Sequence, residues 1–212
     1  GISEESLKKI FLCFALAALP TYFLSVLWWH IPLWLYAIVV IAAVCQLTGW
    51  MQLIFLLKRQ VTLIRKNIPP FSRMLFVFFS LALSIKLLLQ TSSVIPVISH
   101  LAFGFRPIVI GYLHLVLLGI ITLFILSYCF TFQQIRINAG TRRGILIFVS
   151  AIIFNELLLM IQGVSDLWDA GTAGIQYWLF GAACLLAFGA EMIAYHQFFS
   201  KDDFNHKKTE NL

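Results

Sequence analysis

The chain has 212 residues, of which 61% are hydrophobic and only 11% are charged. So few charged residues cannot cover the surface of a water-soluble domain of this size, and most of the outer surface must therefore face lipid. The net charge of +6 does not indicate nucleic-acid binding, because the basic residues lie in short segments between apolar stretches, as in membrane proteins.

Six apolar stretches follow one another along the chain, and each is long enough to cross the bilayer as a helix of ~20 residues. They cover residues 7–29, 33–57, 74–95, 107–132, 144–164 and 175–199. The sequence therefore predicts an all-α, polytopic membrane protein, with one six-helix transmembrane domain at 1–200 and a polar cytoplasmic tail at 201–212. Between the second and third stretches, Pro69 and Pro70 interrupt any helix, and residues 61–68 are expected to lie on the lipid headgroups.

The basic residues are distributed very unequally between the two faces of the membrane. Thirteen of the fifteen Lys and Arg residues lie on one face if the helices alternate in direction; they are Lys8, Lys9, Lys58, Arg59, Arg65, Lys66, Arg73, Arg136, Arg142, Arg143, Lys201, Lys207 and Lys208. The opposite face carries Arg106, Asp166 and Asp169, and Lys86 lies inside the third stretch. This asymmetry predicts that both termini are cytoplasmic.

Three charged residues, Lys86, Glu156 and Glu191, lie inside the apolar stretches, where charges are costly and indicate function. Lys86 and Glu156 each come 12 residues after the start of their stretch, which places both about 18 Å deep. An ion pair between them would offset two desolvation penalties, either as a structural clamp or as part of a proton or ion relay. Glu191 either binds a cation or a partner, or reaches the cytoplasmic interface.

Uncharged polar residues extend from these charges toward the outer surface. Gln90 follows Lys86 by one helical turn, and Asn155, Gln162 and Asp166 form a second stripe beside Glu156. Such stripes either join helices by hydrogen bonds or line a wet path through the protein.

His114 comes seven residues after Pro107 in an otherwise apolar stretch, about 10 Å below the outer surface. A buried imidazole needs a partner, which is either a hydrogen-bonding neighbour or a metal or haem iron. The chain has no phosphate-binding glycine loop, nucleophile elbow or H-E-x-x-H motif, so the sequence indicates no particular enzyme class.

The segment Arg-Pro-Ile-Val-Ile-Gly-Tyr-Leu-His-Leu-Val-Leu-Leu-Gly at residues 106–119 resembles a motif in a family of large bacterial inner-membrane proteins. Residues 86–90 and 100–105 look like the same family, in which such segments belong to the second half of a chain with about twice as many spans. That family is reminiscent of haem-copper oxidase subunit I and of haem- and copper-containing membrane proteins linked to the nitric-oxide response. The adjacent histidine pair and the H-x-H element of the catalytic subunits are not found in this sequence.

The resemblance implies a haem- or metal-associated protein of the bacterial inner membrane, with a redox or gas-response role. It implies His114 as a haem or copper ligand, with Gln90 and Arg106 in support. If the chain is one half of such a protein, the other ligands would lie in the other half. The residues alone leave two alternatives open: a cofactor-free transporter or channel that uses Lys86 and Glu156, and an accessory subunit packed against another membrane subunit.

Overall fold

The computed structural model describes residues 4–26, 32–135, 138–167 and 174–199, and all the regular structure in these ranges is helical. In chain order the elements are α1 (Glu4–Tyr22), a 3₁₀ turn (Phe23–Val26), α2 (Leu33–Arg59), α3 (Val61–Asn67), α4 (Pro70–Ser92), α5 (Pro96–Gly104), α6 (Arg106–His114), a π-helical segment (Leu115–Thr122), α7 (Leu123–Thr131), α8 (Ala139–Leu167) and α9 (Ile175–Phe198). The predicted all-α class is therefore confirmed. The predicted tail at 201–212 lies outside the described residues, as do Arg136, Asp169, Lys201, Lys207 and Lys208.

Five of the described helices are long and apolar enough to cross a membrane, which is consistent with an integral multi-pass protein. They are Leu33–Arg59, Pro70–Ser92, Arg106–Thr131, Ala139–Asp166 and Ile175–Phe198. The third of these consists of α6, the π-helical segment and α7 in direct succession. Large apolar side chains are exposed along all five, as expected for surfaces in contact with lipid.

The helix α1 differs from the first predicted span. It begins at Glu4 and ends at Tyr22, whereas the last residues of the predicted 7–29 stretch lie outside the described ranges. Every 18-residue window of α1 contains at least three charges, because Glu5, Lys8 and Lys9 fall in all of them, and α1 is therefore not among the five. Apart from this charged first half, α1 is apolar.

Two short helices lie between the long ones. The predicted surface segment at 61–68 is the helix α3, and α4 begins at Pro70, where proline is well tolerated because the first helical N–H groups have no partner. The helix α5 was not predicted, and it fills most of the connection between α4 and α6.

The long helices pack in sequence as antiparallel neighbours. The helix α1 packs on α2, α2 on α4, α4 on the π-helical segment and α7, α6 on α8, and α8 on α9. Apart from Arg106, the described basic residues outside the membrane-spanning core therefore gather at one end of the bundle, here called the basic end, where α2 and α7 end and α4 and α8 begin. The other end, where Arg106 begins α6, is called the opposite end.

A mainly apolar core occupies the half of the bundle nearer the basic end. It contains Phe71 and Leu75 from α4, Phe130 from α7, and Ile145 and Phe148 from α8. The Phe71 and Phe130 rings meet edge to face with centroids 5.7 Å apart. The buried carboxamides Gln46, Gln90 and Asn155 lie farther along the helices, in the middle of the bundle or toward the opposite end.

Candidate functional site

A chain of hydrogen bonds starts at Lys86 and connects three helices. The Lys86 ammonium donates to Gln90 Oε1, and Gln90 Nε2 donates across to Gln46 Oε1 on α2 at 2.9 Å. Gln46 Nε2 in turn donates to Thr21 Oγ1 on α1 at 3.4 Å, and the Thr21 hydroxyl donates to the Ala17 carbonyl at 2.8 Å. Gln46 and Gln90 are both buried, so the chain joins α1, α2 and α4 inside the bundle.

The position of His114 is set by its own helix. His114 Nδ1 lies 2.9 Å from the Ile110 carbonyl oxygen, one turn earlier in α6. A carbonyl can only accept a hydrogen bond, so Nδ1 must carry the proton. In the neutral ring, Nε2 is therefore unprotonated and free to accept a proton or bind a metal.

Close packing of α6 against α8 places His114 beside Glu156. A Cβ on Gly163 would lie 2.9 Å from Ile108, and a Cβ on Gly111 would lie 3.5 Å from Leu159. In this antiparallel register His114, three residues after Gly111, is level with Glu156, three residues before Leu159. The His114 ring and the Glu156 carboxyl interact electrostatically.

Asn155 and Glu156 each have one buried polar atom that makes no hydrogen bond within the described residues. Asn155 is 94% buried, since only 6% of its surface is exposed, and its Nδ2 has no hydrogen-bond partner among the described residues. Glu156 Oε1 is likewise buried without a partner in the described part of the chain. The Asn155 amide neighbours the Glu156 carboxyl.

Lys86 lies at the same level of the bundle as His114 and Glu156. A Cβ on Gly119 would lie 3.2 Å from the Ala82 Cβ, so these two residues face each other across α4 and the π-helical segment. Lys86 is four residues beyond Ala82, and it is therefore level with the residue that follows His114. We call the set Thr21, Gln46, Lys86, Gln90, His114, Asn155 and Glu156 the polar layer.

The predicted pairing of Lys86 with Glu156 is not what the structure shows. Lys86 donates to Gln90, whereas the neighbours of Glu156 are Asn155 and His114. The physical reason is lateral position: α8 packs mainly against α6 and α9, whereas Lys86 lies on α4, which packs mainly against α2, the π-helical segment and α7.

The other predicted site residues lie away from the polar layer. Arg106 is exposed at the start of α6, eight residues before His114, or about 12 Å along the helix. Gln162 is half-buried nearer the opposite end, and Glu191 is exposed on α9. Gln90 is hydrogen-bonded to Lys86 and Gln46. The structure therefore does not bring the proposed cofactor residues His114, Gln90 and Arg106 together at one site.

Four hydrogen-bonding residues were not predicted from the sequence. Gln46 and Thr21 extend the chain from Gln90, and Trp50 Nε1 donates to Ser84 Oγ at 2.8 Å between α2 and α4. The available signal was that Gln46 and Gln52 are the two carboxamides in the apolar part of α2, and that Gln46 lies nearer its middle. Within the described ranges, no three His, Cys, Asp or Glu side chains are grouped so that they could hold a metal ion.

Comparisons of the chain with protein-family models, with curated proteins and with solved structures found no match.

Proposed function

We propose that this protein transfers protons within the membrane, as a transporter or channel whose proton-binding centre is the pair His114 and Glu156. The supporting observation is the juxtaposition of these two groups across α6 and α8, with the His114 Nδ1 proton engaged by the Ile110 carbonyl. Both side chains exchange protons, and the free Nε2 of His114 provides the acceptor. Ionisable residues inside membrane helices commonly form such relays.

The surroundings of Glu156 support proton exchange at its carboxyl better than a structural role in joining two helices. A structural carboxylate inside a membrane is normally neutralised by an ion pair or by several hydrogen bonds. Glu156 Oε1 has neither among the described residues, and the charge predicted to neutralise it, Lys86, is engaged by Gln90. A carboxyl left in this state can take up and release a proton.

Proton flux into liposomes tests this proposal. Purified protein is reconstituted with a pH-sensitive dye inside, and a potassium diffusion potential drives proton entry. Glu156→Gln is expected to abolish the flux, because a carboxamide cannot exchange a proton. Glu191→Gln, the same change at an exposed membrane position, is expected to retain it. Wild-type flux no greater than that of protein-free liposomes, or full flux in Glu156→Gln, would refute the proposal.

A second candidate is a haem- or copper-associated protein with a redox or gas-response role. The observation that favours it is the same Nδ1 contact, because histidines that ligate metals typically donate their other ring N–H to a carbonyl or carboxylate. His114 would supply one ligand, and a further chain or subunit would supply the rest. A visible absorption band of the purified protein that is lost in His114→Ala would support this candidate, and a colourless, metal-free protein would exclude it.

We further propose that the chain crosses a bacterial inner membrane six times, with both termini in the cytoplasm. The support comes from α1, which runs antiparallel to α2: Cys13 lies opposite Gly49, Thr21 bonds Gln46, and Leu24 packs on Val39. This packing brings the start of α1 to the basic end.

A partner subunit is the last element of the proposal. Small residues are exposed along one stripe of α9, next to Glu191: Ala183, Ala187, Ala190 and Ala194. Small residues allow another membrane helix to approach closely. Protein that remains monomeric in mild detergent and in chemically cross-linked membranes would count against a partner.

A further inference from the structure

We infer that Asn155 is a positioning residue that holds one water molecule between Glu156 and His114, through which the proton passes. This inference rests on the proposed proton transfer, and it adds the route and the residue that controls it. Three groups, contributed by α6 and α8, carry the argument.

The geometry leaves a gap between the two proton-exchanging groups. No direct hydrogen bond joins His114 and Glu156, although the structure describes both side chains, and Glu156 Oε1 is buried without a partner. The two groups nevertheless interact electrostatically and share a level of the bundle. A proton can cross such a gap only through an intervening molecule.

The hydrogen-bonding capacity of the three groups matches that of a single water molecule. Glu156 Oε1 needs a donor, and His114 Nε2 also needs one, because the contact with the Ile110 carbonyl keeps the proton on Nδ1. Asn155 Nδ2 needs an acceptor. A water molecule donates twice and accepts at its oxygen, and buried waters typically make about three hydrogen bonds to groups that otherwise lack partners.

The same pattern disfavours a metal ion in this position. The unpartnered atom of Asn155 is a nitrogen that donates, whereas a cation requires the oxygen of a carboxamide. His114 and Glu156 alone would leave most of the coordination positions of a metal unfilled.

The proton transfer balances without any further reactant. The protonated Glu156 carboxyl gives its proton to the water oxygen while the water gives one of its own to His114 Nε2. The products are a Glu156 carboxylate, a water molecule and a His114 imidazolium, and the reverse transfer restores the starting state. Asn155 exchanges no proton and acts only by holding the water oxygen.

Replacement of Asn155 separates this role from a structural one. Leucine has a similar size and no donor, so Asn155→Leu removes the contact to the water without leaving a large cavity. It is expected to slow proton flux on the order of tenfold, the factor corresponding to one hydrogen bond between neutral groups. Asn155→Ser keeps a donor at this position and is expected to restore part of the flux.

Infrared difference spectroscopy provides the readout that a structural role would not change. The carboxyl stretch of Glu156, identified by its loss in Glu156→Gln, is expected to shift in Asn155→Leu because its water partner is lost. An O–H stretching band of the bridging water is expected to shift when bulk water is exchanged for H₂¹⁸O, which changes the mass of the bridging oxygen, and to be absent in Asn155→Leu.

The outcomes distinguish this inference from the proposed function. Normal flux and an unshifted carboxyl band in Asn155→Leu, together with loss of flux in Glu156→Gln, would overturn the role of Asn155 and leave proton transfer standing. Full flux in Glu156→Gln would overturn both. Loss of flux in Asn155→Leu without any shift of the band would assign Asn155 a structural role and would also overturn the inference.

Discussion

The hydrogen-bond chain that begins at Lys86 has a single direction when the lysine is charged. An ammonium group can only donate, so Gln90 must turn its carbonyl oxygen toward Lys86 and its amide nitrogen toward Gln46. Gln46 then turns its own nitrogen toward Thr21. The charge on one residue thus determines the orientation of two carboxamides on neighbouring helices.

Mutation of Lys86 and mutation of Gln90 are expected to lower the free energy of unfolding by different amounts, although the two residues share one hydrogen bond. Gln90→Leu leaves the Lys86 ammonium without its acceptor and should lower the free energy of unfolding by about 1–3 kcal/mol. Lys86→Met removes the charge itself and should cost less than about 1 kcal/mol, since single hydrogen bonds within membranes are weak. Unfolding in mixed micelles measures both values.

The double variant Lys86→Met with Gln90→Leu is the control for this comparison. It removes both partners and should be more stable than Gln90→Leu alone. If the two single changes cost the same and their effects simply add, Lys86 and Gln90 do not interact as described.

The protonation site of His114 can be observed directly. The Ile110 contact requires the proton on Nδ1, so the ¹⁵N NMR spectrum of the histidine-labelled protein should show a protonated Nδ1 and an unprotonated Nε2 at neutral ring charge. His114→Ala identifies the signals. A proton on Nε2 instead would contradict both the tautomer and the route to Glu156 through that nitrogen.

Depth in the bilayer could be predicted from the sequence, but lateral neighbours could not. Counting residues placed Lys86 and Glu156 at a similar depth, and the structure has them at one level of the bundle. Their predicted pairing depended on which helix faces act as neighbours, and that is decided by close contacts such as Gly111 with Leu159. No single stretch of sequence contains this information.

At the scale of the elements, α8 and α9 form the closest-packed pair of helices. A Cβ on Gly189 would lie 2.9 Å from the backbone of Phe148, and a Cβ on Gly144 would lie 3.2 Å from the Gly189 carbonyl oxygen. The Gln197 amide also donates to Thr141 Oγ1 at 2.9 Å near the basic end. Glycine therefore permits contact between the two backbones along half of this interface.

Two glycines of α9 are expected to differ in their tolerance of alanine. Gly189→Ala forces the added methyl group against Phe148 and should destabilise the protein by about 1–3 kcal/mol. Gly181→Ala, on the same helix, meets nothing within 4 Å and should be neutral or slightly stabilising. Thermal denaturation in detergent compares the two variants, and equal losses would contradict the described packing.

Local chemistry explains which elements could be predicted. The long apolar helices followed from length and composition alone. The π-helical segment Leu115–Thr122 could not be predicted, because its residues are mostly ordinary apolar ones and a π-helix is defined by backbone hydrogen bonds five residues apart. Similarly, α5 consists of residues that continue the apolar pattern without a span of their own.

At the scale of the whole molecule, long helices that are adjacent in the chain contact one another, and the polar layer includes residues from α1 to α8. Apolar residues fill the core on the side of the basic end. The layer therefore lies beside this apolar core, on the side of the opposite end. In the proposed orientation, with both termini in the cytoplasm, the apolar core would face the cytoplasm.

The arrangement of α1 predicts which side of the membrane its first residues reach. In a chain without its four native cysteines, Glu5→Cys should resist an impermeant maleimide added to intact cells, as should Asn67→Cys at the basic end. Gly174→Cys, exposed at the opposite end, should be labelled. Labelling of Glu5→Cys like Gly174→Cys would mean that α1 does not cross the membrane.

The pairing of α1 with α2 has a consequence for the order in which the protein is assembled. A charge placed within a membrane helix raises its insertion free energy by up to about 2.5–3.5 kcal/mol, and α1 carries Glu5, Lys8 and Lys9 near its start. Its hydrogen-bonding partner Gln46 follows Thr21 by only 25 residues. We therefore expect the translocon to release α1 and α2 together as a hairpin. Once α4 has been synthesised, the hydrogen bond from Gln90 to Gln46 would stabilise this pair.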